Sequence, residues 1–401
     1  MAFADLRTRI GALGTMLRGR SRRRVALPAI TQIGNPFESI GRSEHIRTVW
    51  RALAAAGVPA SIYDIYGHTP EASVRAEIGH AQVGQIADGI RLFHLNGDEV
   101  GPALRQIEDR QAGWLAKGYN IVAPAWELPR YPDVWAKALD RFDEVWAPTA
   151  FVEEALRPAV SIPIHRLRNA CEPHIEARLE RAHFGVPERS FAILSAFDLR
   201  SYASRKNPEA AIEAFARLIA ARPESPAHLV LKLNYSERDP AAVAALKESI
   251  HDFRARLTLI DAILTNNEIK NLVRCCDCFL SLHRSEGFGR GPAEAMFFGK
   301  PVVATGWSGN TDYMDERTAF PVRYALRPVR EGEYPHFENQ LWADPDVAHA
   351  AEILIRIVDD PSLGKARGES ARRHMRRSFS DVVLGAAYRE RLEAIALAGS
   401  A

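Results

Sequence analysis

The sequence is short of several things, and each shortage narrows the field. Nowhere do eighteen apolar residues follow one another, so no stretch reads as a membrane-spanning helix. Cysteine is scarce: four residues in 401, three of them packed as Cys275-Cys276-x-Cys278. That is not a secreted disulfide framework, and no second Cys or His pair has the spacing to complete a metal site. The cluster reads instead as a buried helix end and strand start. Net charge is only +2, which provides no global attraction for nucleic acid, and none is expected among the partners. No apolar core precedes a small-residue cleavage site at the N-terminus, so the expected compartment is the cytoplasm.

What is present is the composition of a globular protein, 47% apolar and 25% charged, with length for two domains. Residues 1–24 stand apart. Arg7, Arg9, Arg18, Arg20, Arg22, Arg23 and Arg24 face a single acid, Asp5, while Phe3, Leu6, Ile10, Leu13 and Leu17 recur at helical spacing. This arm reads either as a basic amphipathic helix on an anionic membrane surface or as a solvated terminus weakened by Gly11, Gly14 and Gly19. Strand-like runs then follow at 25–31, 58–65, 90–95, 120–125, 144–147 and 161–167, with helical patterns at 43–56, 100–116, 132–141 and 151–156 between them. A polar stretch at 172–189 with prolines at each end is a plausible linker. A second alternation places strands at 191–196, 228–233, 257–260, 278–283 and 301–305. Two α/β doubly wound sheets in one chain imply a cleft between them.

The most informative stretch is 279–314, which reads as strand, loop, helix, strand and loop. Its loop Ser285-Glu286-Gly287-Phe288-Gly289-Arg290-Gly291 has three glycines, so its backbone can approach a ligand and aim N–H groups at oxygen atoms. Pro292 suits a first helical position, Gly299 a helix end, and Glu286 and Glu294 are spaced E-x7-E. About eighty residues earlier, a segment from Ala196 through Asp198 to Arg205-Lys206-Asn207-Pro208 follows the first strand of the second half. Asn207 can cap and Pro208 begin a helix whose buried face is Ala211, Ile212, Phe215, Leu218 and Ile219, so Arg205 and Lys206 precede a helix N-terminus. Two cations and a positive dipole end converge where a diphosphate would sit.

Taken together, SEGFG, E-x7-E, GKPVVAT, SGN and RKNP resemble the donor-site signature of the group 1, family-4 type, retaining glycosyltransferases of GT-B fold. The resemblance implies two Rossmann-like domains facing across a cleft, with C-terminal helices crossing back onto the first. The division expected is a basic arm at 1–24, an acceptor domain at 25–172, a linker at 173–189, a donor domain at 190–362 and returning helices at 363–401. It also implies transfer of a hexose from a nucleotide-diphosphate sugar to a glycan or lipid-linked acceptor, as in bacterial polysaccharide or lipopolysaccharide synthesis, at the inner face of the plasma membrane. GDP-mannose and UDP-sugars both remain open as donors. The alternative is a non-catalytic GT-B protein that binds a nucleotide sugar or a partner.

By the same resemblance, Arg205 and Lys206 would stabilise the leaving diphosphate, and Glu286 and His94 would face the donor sugar. Glu294 would accept hydrogen bonds from the ribose, with Gly287, Phe288, Gly289, Asn310 and Asp198 completing the donor site. Acceptor candidates are Gly41, Arg42, Asp98, Trp126 and Glu127; for His94, Trp126 and Glu127 a plain packing role is equally consistent with the residues. The doubled glycine usual in the first loop is absent at Gly41-Arg42, and Arg290-Gly291 replaces an apolar pair. No cofactor or metal is expected, because Arg205, Lys206 and helix N-termini already supply positive charge. The string Asp344-Pro345-Asp346 is read as a helix start, with Asp344 as cap and Pro345 as first residue.

Overall fold

The computed structural model describes residues 25–399 except Ser39, Ala116 and Asp239. The basic arm at 1–24, and the membrane contact expected of it, lie outside the described residues. Strands β1 (Ala29–Gly34), β2 (Ser61–Asp64), β3 (Gly89–Phe93), β4 (Gly118–Val122), β5 (Glu144–Ala147) and β6 (Ile164–Arg166) form one sheet in the order β2-β1-β3-β4-β5-β6. All its pairings are parallel. Strands β7 (Phe191–Asp198), β8 (Ala227–Asn234), β9 (Leu257–Asp261), β10 (Cys278–Ser281), β11 (Val302–Thr305) and β12 (Phe320–Val322) form a second parallel sheet, ordered β12-β11-β10-β7-β8-β9. Helices cover both, and the central strands are buried along almost their whole length, as β8 shows with seven of its eight residues buried.

Strand order reverses at β1 in the first sheet and at β7 in the second. Crevices therefore open beyond the carboxyl ends of β1 and β3, and of β7 and β10, where open α/β sheets take ligands. The two crevices face each other. Behind them one apolar cluster runs through both halves, from Val49, Leu53 and Trp146 to Leu194, Met296 and Phe379. The last helix, Asp381–Ala398, returns to the first half and lies against the helix Gly41–Ala55. Its Gly385 permits the contact, since a Cβ there would stand 1.9 Å from the Ala52 carbonyl oxygen. Arg389 donates to the Ala56 carbonyl, Tyr388 stacks on Trp146, and Arg391 pairs with buried Glu144.

Several local expectations shift. The first strand starts at Ala29 rather than Val25, and a helix at Ala72–Ile78 was not anticipated. The helix after the glutamate loop begins at Arg290, so Pro292 is its third residue rather than its first. Asn207 does cap the next helix, but through its left-handed backbone (φ 52°), while its side chain donates to the Leu282 carbonyl. An antiparallel hairpin of β13 (Tyr324–Pro328) and β14 (Leu341–Pro345) was missed altogether. Asp344 and Pro345 end that second strand, and Asp346 alone caps the following helix by accepting from the His349 N–H. Cys275 ends a helix, Cys278 opens β10, and both are buried.

Candidate active site

A cleft of about 660 Å³ lies between the two crevices, within the range of small-molecule sites. Its second-domain wall is built by the loop after β10. Thr305 donates to the His283 carbonyl, and the buried His283 ring pairs through Nδ1 with Ser281 Oγ (3.0 Å) and through Nε2 with Asn310 Oδ1 (3.1 Å). The Glu286 N–H donates to Ser308 Oγ. The loop is thus fixed from beneath before any ligand arrives. Ser308, Tyr202 and Asn207 all hold positive φ, which costs of order 1–3 kcal/mol for such residues and clusters at functional sites.

Two cations converge on the loop's acid. Lys206 Nζ stands 2.5 Å from Glu286 Oε1, and Arg205 Nη1 stands 3.2 Å from Oε2 while also donating to the Ser285 carbonyl. Burial alone would raise the Glu286 carboxyl, but Lys206 and Arg205 outweigh it and hold it down at about 2. Burial and the neighbouring Arg205 lower the Lys206 ammonium against the pull of Glu286. Glu127, from the first domain, approaches the same cluster at 3.8 Å from Arg205 Nη2, so two carboxylates share two cations on the cleft wall.

The first domain closes on this loop directly. A Cβ on Gly287 would lie 2.5 Å from the Trp126 carbonyl oxygen, so only glycine allows the approach. Thr149 donates to the Gly287 carbonyl, and Ser285 Oγ donates to the Glu127 carbonyl. Opposite, His94 lies at the end of β3, 3.4 Å by Nδ1 from His45 Nδ1. Gln32, oriented to donate to the Ile46 carbonyl, also donates to His94 Nε2. Burial, then His45 and Arg42, lower His94 well below the usual histidine range, so it is neutral.

Of the residues expected from sequence, Gly41, Arg42, His94, Glu127, Asp198, Arg205, Lys206, Glu286, Gly287, Phe288 and Gly289 line the cleft. Four do not. Asn310 is fully buried under the loop, its amide occupied by His283 and the Thr305 carbonyl. Trp126 is core, packed edge-on against Tyr131, Trp135 and Tyr334 with its N–H on the Arg130 carbonyl. Asp98 is exposed at the start of the helix Gly97–Arg110, beside Glu99, which pairs with Arg42. Glu294 sits one turn behind Arg290, 3.4 Å from its guanidinium.

The structure adds residues that the sequence did not mark. Tyr334, from the β13–β14 connection, donates to Glu127, stacks edge-on against Tyr202 and lies under Arg205. No local signal announces it, because its place depends on a hairpin closed across twelve intervening residues. Asn169 and Arg290 also line the wall. Arg290 was visible as a departure from the resemblance, though not as part of a wall. Among the described residues no cluster of His, Cys, Asp and Glu has the form of a metal site, and no helix is long and apolar enough to cross a membrane.

Comparison with known proteins supports the geometry. Residues 195–331 match the model of "Glycosyl transferases group 1", covering the end of β7, the RKNP segment and the glutamate loop. Human alpha-1,3/1,6-mannosyltransferase ALG2 is 25% identical over 204 residues, 49% of this chain and 43% of that protein's length. The match thus spans less than half of the curated relative. The crystal structure of Anabaena HepE in complex with UDP and glucose superposes at a TM-score of 0.66, with 15% identity over 91% of this chain and 99% of that one. Sucrose-phosphate synthase from Thermosynechococcus elongatus gives 0.64, at 15% identity over 92% and 100%. The chain has the GT-B fold, and residues 195–331 within it are similar to the group 1 glycosyl transferases.

Proposed function

We propose that the protein is a retaining glycosyltransferase that moves a hexose from a nucleotide-diphosphate sugar to a glycan or lipid-linked acceptor. The observation that carries this reading is the Arg205–Lys206–Glu286 cluster, set on an interdomain cleft beside the N-terminus of the helix Arg290–Phe297. Breaking the sugar–phosphate bond leaves negative charge on the diphosphate and positive character on the ring. Arg205 and Lys206 match the first, and a preorganised charge of this kind needs no reorganisation as the bond breaks. Diphosphate binding would draw both cations from Glu286, leaving its carboxylate to accept hydroxyls of the donor sugar.

The chemistry calls for no divalent metal, since the charge a metal would bring is already present. Glu127, held by Tyr334 and 3.8 Å from Arg205, extends the cluster from the first domain, where an acceptor hydroxyl would arrive. A mannose-type donor is favoured by the likeness to ALG2, a UDP-sugar by the likeness to HepE, a structure containing UDP. The basic arm would hold the enzyme to an anionic membrane surface on the cytoplasmic side, where a lipid-linked acceptor of polysaccharide synthesis would be met. The test is nucleotide release from a panel of UDP-, GDP- and ADP-sugars, with and without acceptor, before and after exhaustive chelation. Release with the anomeric configuration kept, unaffected by chelation, is expected. Absence of turnover with every donor would leave only a binding protein.

A further inference from the structure

Arg290 opens its helix at the cleft wall in a setting that packing alone does not explain. Its Nη2 lies 3.4 Å from Glu294 and 3.8 Å from Glu44, one acid from each domain. Its Nε and Nη1 are buried and have no hydrogen-bond partner. A guanidinium only donates, so these groups need an acceptor that the protein does not provide. On the same cleft, Asn169 presents the converse defect. It is 6% exposed, and its Oδ1 has no donor. Arg290 and Asn169 both line one cavity, and their unpaired donors and unpaired acceptor fit a bound molecule that has both an anionic oxygen and a hydroxyl group.

We propose that Arg290 binds the ribose-linked phosphate of the nucleotide, and that Asn169 accepts a ribose hydroxyl. The assignment rests on the reading of the cleft as a nucleotide-sugar site. Arg205 and Lys206 meet Glu286 ahead of the glycine loop, whereas Arg290 follows Gly289. Three cations thus bracket the loop, two for the phosphate nearer the sugar and one for the phosphate nearer the ribose. Glu294, one turn behind, orients the guanidinium from the rear. An arginine where the resembling sequences carry an apolar residue is thereby accounted for, since a planar fork suits a phosphate as an aliphatic side chain does not.

Calorimetry with uridine, UMP and UDP, with guanosine, GMP and GDP, and with adenosine, AMP and ADP separates the outcomes. For the base that binds, Arg290→Met should weaken monophosphate and diphosphate alike by about 10- to 100-fold, with the nucleoside little changed, as expected for a lost charge-assisted hydrogen bond. Lys206→Ala should weaken the diphosphate alone. Arg290→Lys keeps the charge without the fork and should show an intermediate loss, which keeps the test open if the methionine variant does not fold. Unchanged monophosphate affinity in either Arg290 variant would overturn the assignment, leaving Arg290 as a bridge between domains. If the unmodified protein bound none of these nucleotides, the donor-site reading itself would fall as well.

Discussion

Two buried glutamates in this molecule are each ringed by cations, and they differ in what surrounds the ring. Glu286 meets Arg205 and Lys206, both from the second domain, on the wall of an open cleft. Glu44 meets Arg47 and Arg51 at 2.8 Å, Lys270 at 3.2 Å and Arg290 at 3.8 Å, cations drawn from both domains. Arg51 continues the network to Glu77 and to Asp381 on the returning helix. Both carboxyls are held low by their cations against the upward push of burial, Glu44 well below the usual range. The first cluster can exchange its acid for a ligand. The second has its acid sealed between elements, and of its four cations only Arg290 reaches the cleft. A buried ion cluster marks a binding site only where the cleft gives an anion access to its cations.

The largest effect should come from breaking the sealed cluster. Glu44→Ala leaves Arg47, Arg51 and Lys270 buried without their shared acid, and removal of one partner from a buried ionic group costs about 3–5 kcal/mol. Urea unfolding should show that loss, and a change under 1 kcal/mol would mean water reaches the cluster. At the open cluster the effect should be on rate. Lys206→Ala is expected to lower kcat by about 10²–10³ with little loss of stability, the scale of removing one preorganised stabilising donor. A raised KM with normal kcat would show instead that Lys206 holds ground state and transition state equally.

Acid separates the two walls of the cleft in another way. Burial lowers His94 well below the ordinary value, and burial followed by Arg290 takes His45 down to about 3. Both histidines bind protons in the unfolded chain near pH 6.5 but stay neutral in the folded one. The unfolded state therefore gains protons first, and stability falls as pH drops from about 6.5 toward 3. The slope should reach up to about 1.4 kcal/mol per pH unit for each histidine. Glu286, at about 2, remains ionised throughout, so the second-domain wall keeps its charge while the first-domain wall weakens. His45→Gln and His94→Gln should each flatten the pH dependence of unfolding, and slopes parallel to the unmodified protein's would refute the assignment.

What was legible in the sequence follows the same division. The second-domain wall is written in short stretches: a buried strand, a glycine loop and a helix start each carry a local signature, so Arg205, Lys206, Glu286 and Gly287–Gly289 could be named from their neighbours alone. The buried strands β7, β8 and β11 were readable because burial on both faces demands unbroken apolar runs. β13 carries no such sign: Tyr324, Ala325, Leu326 and Pro328 are all exposed, and its pairing with β14 is settled only in three dimensions. Tyr334 was hidden with it. Trp126 looked like a wall residue because it follows a strand, yet Tyr131 and Trp135 just downstream and Tyr334 from the distant hairpin claim its ring. Arg290 shows where resemblance misleads, since it appeared only as a misfit, whereas its contacts place it between the second-domain wall and the cluster around Glu44.

The smallest expected effect concerns the pair of acids that might be mistaken for a metal motif. Asp344 and Asp346 are separated by one proline but do different work. Asp344 ends β14, 3.6 Å from Arg284 and 3.8 Å from Arg327, while Asp346 accepts the His349 N–H at the start of the helix Val347–Asp359 and pairs with Arg323. The cap and its backbone hydrogen bond lower the Asp346 carboxyl first, ahead of any effect of Arg323. Loss of such a cap costs about 1 kcal/mol, whereas asparagine caps as well as aspartate does. Asp346→Ala should thus lower stability by that amount, Asp346→Asn should leave it within a few tenths, and neither should alter turnover. A carboxylate serving as a metal ligand would give the opposite pattern, with asparagine losing activity that manganese or magnesium at high concentration partly restores. Equal activity in all three proteins, with stability lost only in the alanine variant, would place Asp346 with the fold and leave the donor's charge to Arg205, Lys206 and the helix beside them.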